Sequence, residues 1–190
     1  MKALELCSFH ILVLKIYTLT NFYCMTEEKL SQNIYSVVSE TTKVSEKAVL
    51  KGDVNIGDYS NIEEAVIINA RENQIIIGDQ VRIQKGARIE AFGENKNTYI
   101  CNQVNIGSYA KVHNATLEEG AIIGHRSVIM DSAFVSRNAK IGSNTIIVKN
   151  AIVPEGMICE SDSIYAGIPA RRIADVPVRG SELKEAEKAG

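Results

Sequence analysis

The chain has 190 residues, a formal net charge of −2 and only 6% aromatic residues, with no tryptophan. That length suits one domain with a substantial core. The weak, mixed charge makes no electrostatic case for nucleic acid or an anionic membrane, and so few aromatics make no platform for stacked bases. The four cysteines, Cys7, Cys24, Cys101 and Cys159, form no CxxC pair. A disulfide or zinc-finger framework is therefore not expected, and a cytoplasmic, reducing environment is.

Residues 1–24, MKALELCSFHILVLKIYTLTNFYC, are apolar but irregular, interrupted by His10 and Lys15. A membrane helix needs about 20 mostly apolar residues, and a secretory signal begins with positive charge and ends in small residues. This segment does neither, so no membrane anchor is expected. It reads as an appendage or as the product of a start assigned too early. Met25 opens MTEEKL, and residues 25–37 form a lead-in.

From Val38 apolar residues recur at every sixth position: Val38, Val44, Leu50, Ile56, Ile62, Ile68, then Ile77, Ile83, Ile89, then Ile100, Ile106, Val112. A continuous series follows through Leu117, Ile123, Ile129, Val135, Ile141, Ile147 and Val153. Four residues after most anchors stands a small or β-branched residue, such as Ala87, Ala110, Ser127 or Thr145. A period of six fits neither a helix nor an alternating strand. It fits a triangular coil of three short strands and three tight turns, with the anchors pointing inward. Glycine, Asn, Asp or Ser at the turns would ease positive φ. The expected fold is all-β, a left-handed parallel β-helix of about six coils spanning residues 38–160. It is an exception to the right-handed crossover rule.

The repeat breaks three times, between Ile68 and Ile77, Ile89 and Ile100, and Val112 and Leu117. Counting sides from Val38, all three breaks follow side three, so one corner of the prism carries the irregular segments. Loops on a rigid scaffold are where function usually lives. The register also aligns columns of outward residues. One, just after the side-three anchors, reads Lys51, Asn69, Glu90, His113, Met130, Val148. Another, two places after the side-two anchors, reads Glu46, Glu64, Lys85, Ser108, His125, Ser143.

The stretches VLKGDVNIGDYSNIEEAVIIN and VNIGSYAKVHNATL resemble the γ-class carbonic anhydrases, over roughly Val38 to Ile173. The resemblance implies a homotrimer with zinc held by three histidines at subunit interfaces, two from the side-three column and one from the side-two column of a neighbour. Carried over residue by residue, that site is incomplete. Asn69 stands at the first histidine position, and either Glu90 with Lys85 or His113 with Ser108 stands at the others. A catalytic zinc wants three His, Cys or carboxylate ligands and an open position. The expectation is a trimeric scaffold or binding protein without the family zinc and without any cofactor. One alternative is a relocated metal set of Glu90, His113 and a cross-subunit His125, which would make the protein a metal-dependent lyase. Another is a hexapeptide acyltransferase with His113 or His125 as general base. IEEAVIINA is also similar to the hexapeptide-repeat subunits of dynactin, which shows that a coil without zinc is a known outcome. No protein partner can be named from these residues.

The end of the chain leaves the six-residue period. IYAGIPARRIADVPV, with Pro169 and Pro177, should fold back over the last coil within 161–190. SELKEAEKAG, capped by Ser181, favours a short C-terminal helix. Such an end covers strands that would otherwise invite aggregation.

Overall fold

The computed structural model describes residues 36–177 except residue 95. The expectations for residues 1–24, for nearly all of the lead-in and for the helix after Ser181 lie outside the described residues.

Each anchor predicted from the period of six pairs in parallel with the anchor one coil away. On side one Val38 pairs with Ile56, Ile56 with Ile77, Ile77 with Ile100, and so on to Val135 with Val153. Sides two and three behave alike, ending at Ile141 with Cys159 and at Ile147 with Tyr165. Cys159 and Tyr165, both buried, close a further coil beyond Val153. The result is a parallel β-solenoid of about 7 turns. Its regular stacking runs to Ala166 rather than stopping at 160. Arg171–Asp175 then turns back antiparallel on Ser163–Ala166.

The interior is a column of aliphatic side chains. Ile62, Ile68, Ile83, Ile89, Ile106, Leu117, Ile123, Ile129 and Ile147 are all fully buried. Each such side chain contributes about 1.5–3 kcal/mol through burial, and only the neighbouring coils make that burial possible. The small residues four places after the anchors fill the corners. Where they are polar, their hydroxyls are used: Ser127 Oγ donates to Gly142 O at 2.7 Å, and Thr145 Oγ1 donates to Glu160 O at 2.7 Å.

The turns hold a surprise. Asn138, Asn144 and Asn150 take the left-handed conformation expected of them, but so do Tyr59, Ala65, Tyr109 and Arg126. A non-glycine residue there costs roughly 1–2 kcal/mol. Closure of the coil imposes the conformation, and the interior offsets the cost.

Sides one and three belong to a single 13-stranded sheet, while side two is a separate 7-stranded sheet. The join comes from Val49–Ile56 and Ile67–Ile77, which run as continuous strands around the irregular corner. The segment after Asn69 and the one after Ala91 are laced together at that corner. Asn73 Nδ2 donates to Gly93 O at 2.9 Å, Lys96 N donates to Asn73 Oδ1 at 3.1 Å, and Gln74 N donates to Asn97 Oδ1 at 3.0 Å.

Candidate functional site

The column after the side-three anchors is real. Lys51 pairs with Asn69, Asn69 with Glu90, and Glu90 with His113. Alternate strand positions face opposite ways. With Ile89 and Val112 inside, Glu90 and His113 must therefore point outward. Their side chains are 18% and 22% exposed, and His113 Nδ1 lies 3.3 Å from Glu90 Oε2. That approach is ionic in distance but lacks hydrogen-bond alignment, so Nδ1 is buried without a hydrogen-bond partner. Arg88 Nη2 stands 3.6 Å from the other Glu90 oxygen. Phe92 meets the His113 ring edge-on with centroids 5.9 Å apart, and Arg71 stacks over Phe92 at 5.8 Å.

The side-two column is a different environment. Lys85 Nζ donates to Glu64 Oε1 at 2.6 Å. The Lys85 hydrogen bond and charge hold the Glu64 carboxyl below its usual range, and the lysine is raised in turn. In the later coils the Ser108 backbone N–H donates to His125 Nδ1 at 3.1 Å, and Ser108 Oγ donates to Gln84 Oε1 at 3.2 Å. His125 is exposed and sits on another side of the prism from His113. Within one chain, then, the structure brings Glu90 and His113 together and leaves His125 apart.

Among the described residues no three His, Cys, Asp or Glu side chains stand close enough together to hold a metal. The family arrangement fits no better across coils. Asn69 and Ser108 are poor zinc donors, and the Lys51 and Lys85 ammonium groups beside them would repel the ion. The residues present do not fit the three-histidine zinc of the γ class.

Sequence reasoning missed what the irregular corner builds around these residues. Asn114, in the left-handed conformation with φ 44°, is buried. Its Oδ1 accepts from Phe92 N at 2.8 Å. Beside it Lys96 Nζ donates to Asp131 Oδ2 at 3.1 Å. Burial pushes the Asp131 carboxyl up, but the Lys96 ammonium and the Asn114 amide outweigh it and hold the group below its ordinary range. Next to this pair lies a shallow, open depression on side one, its lining including Lys96, Tyr99, Thr116 and Phe134. The signals were the insertion before Tyr99 and the shortened repeat after Val112, but their positions gave no shape.

No helix of the described residues is long and apolar enough to cross a membrane. The chain matches no protein-family model. It is 26% identical over 140 residues to the mitochondrial γ carbonic anhydrase 2 of Arabidopsis thaliana, covering 71% of this chain and 48% of that protein. It thus spans about half the length of that relative. It is 28% identical over 145 residues to the carnitine operon protein CaiE of Escherichia coli, covering 76% and 70%. In fold it is similar to a hexapeptide transferase family protein from Anaplasma phagocytophilum, with a TM-score of 0.51, 23% identity and coverage of 82% and 87%. Six-residue repeat, stacked coils and these comparisons agree: the chain is a parallel β-solenoid consistent with the hexapeptide-repeat superfamily, with sequence likeness to the γ-class carbonic anhydrases and CaiE.

Proposed function

We propose that the protein is a non-catalytic member of this superfamily, a homotrimeric scaffold or binding protein that keeps the γ-carbonic-anhydrase coil and has given up its zinc. The observation that carries the reading is the occupancy of the ligand column by Lys51, Asn69, Glu90 and His113, in which one histidine remains. The state of His125 supports it. With Nδ1 accepting from Ser108 N–H, the neutral ring carries its proton on Nε2. Ligating through Nε2 would move that proton to Nδ1, against a donor already there.

A second reading keeps the relocated set of Glu90, His113 and His125 from a neighbouring copy. It is favoured by the 3.3 Å approach of Glu90 to His113, the arrangement a shared ion would use. Likeness in fold to a transferase carries no activity to this chain.

Metal analysis of protein purified without chelator separates the two. The scaffold reading expects far less than one zinc per subunit, no hydration of carbon dioxide above background and three subunits per particle by light scattering. Stoichiometric zinc that is lost in His113→Ala overturns it, and a monomer at micromolar concentration removes the trimer.

A further inference from the structure

Side three carries an apolar outer face over its last three coils. Ile129, Ile147 and Tyr165 point inward and are buried, so the residues on either side of each point outward. These are Val128 and Met130, Ile146 and Val148, Ile164 and Ala166. Parallel pairing of Val128 with Ile146, and of Ile146 with Ile164, stacks them into one surface. At the same heights side two carries Lys140 and Glu160, and side one carries Ser136. The apolar face ends one strand below, where Lys111 pairs with Val128 and Arg88 with Lys111, both cations exposed.

The chain leaves the coil at the head of this face. Arg171–Asp175 lies antiparallel on Ser163–Ala166, and Val176 N donates to Asp162 O at 2.8 Å. Pro177 therefore stands near the corner that leads into side three, close to the strand bearing Ile164 and Ala166. The sequence VRGSELKEAEKAG, residues 178–190, follows. As the helix its composition favours after Ser181, residues 181–189 would be about 13 Å long. The face is about 10 Å deep, two strand spacings of about 4.8 Å. Leu183, Ala186 and Ala189 recur every third residue, which sets them along one side of such a helix. A helix descending from Pro177 would bring Glu187 and the negative end of its dipole toward Lys111. Point of exit, length, apolar stripe and charge agree on one occupant.

We propose that residues 178–190 cover this face, with 181–189 lying as a helix across the strands of Ile164, Ile146 and Val128. The proposal does not depend on whether the protein holds zinc or forms a trimer. The first test joins Ala186→Cys to Ile146→Cys in the full chain with a short bis-maleimide, read by gel mobility and peptide mass mapping. A link within one chain is expected, several times more abundant than to Ile122→Cys, an exposed position on side two. The second test follows oxidation of Met130, 39% exposed, by dilute peroxide, with Met157 as internal reference. Leu183→Asp, which touches no anchor of the coil, should speed Met130 oxidation severalfold and leave Met157 unchanged. Equal linking to Ile146→Cys and Ile122→Cys, or no link at all, overturns the proposal. A link only between chains also overturns it and makes a second copy the occupant, and an unchanged Met130 rate in Leu183→Asp counts equally against it.

Discussion

Gly124→Ala separates two reasons for glycine in this coil. Gly107, Gly124 and Gly142 follow the side-two anchors Ile106, Ile123 and Ile141 and stack in successive coils. A Cβ on Gly124 would lie 2.6 Å from the carbonyl carbon and oxygen of Gly142 and 2.6 Å from Ser143 N. Carbon contacts are favourable at about 3.5–4.0 Å, so the coils would have to part by most of an ångström. The atoms in the way are backbone and cannot swing aside. Parting also stretches the Gly124 N–H to Ile141 O bond, 2.9 Å long. Overpacking and a weakened ladder bond together cost about 2–4 kcal/mol. Gly156 is the control. It takes φ +64° and nothing lies within 4 Å of its would-be Cβ, so Gly156→Ala pays only for conformation. That cost is about 1–2 kcal/mol. Urea unfolding at one fixed protein concentration would measure both, a fixed concentration removing any contribution of assembly to the midpoint. If Gly124→Ala is no more destabilising than Gly156→Ala, close coil stacking is not what requires glycine there.

Ile106→Ala should cost about 2–5 kcal/mol because the side chain is fully buried, whereas Ile158→Ala, at a position 70% exposed, should cost within about 0.5 kcal/mol; the same unfolding assay compares them. The carboxyl of Asp131 is lowered in the folded state. Its contribution is therefore present above the unfolded pKa near 4 and lost as pH falls below it. Asp131→Asn should narrow the acid-induced loss of stability, measured as thermal midpoint from pH 6 to pH 3. Burial pushes the Cys159 thiol up to about 11 and leaves it 2% exposed. Iodoacetamide at pH 8 should leave it unlabelled in the native protein and label it in urea, as read by peptide mass mapping.

The period of six was enough to place Ile106 against Ile83 and Ile123 across 17 to 23 residues of sequence, because a coil of fixed circumference turns spacing directly into contact. The same arithmetic put Glu90 beside His113, and it placed the breaks at one corner. It stopped short at Cys159 and Tyr165, since a cysteine and a tyrosine do not look like aliphatic anchors, although burial treats them as such. It also misjudged the turns, where Tyr59 and Arg126 take a conformation that local preference disfavours.

What the sequence determined by itself was everything periodic: the class of fold, which residues face in and which columns align. What only the tertiary structure decided was everything aperiodic. The partner of His125 Nδ1 and the Lys96–Asp131 pair depend on side-chain orientation and on how irregular segments fold. Periodicity fixes positions along a repeating backbone, but it carries no information about the direction of a side chain once the repeat is broken.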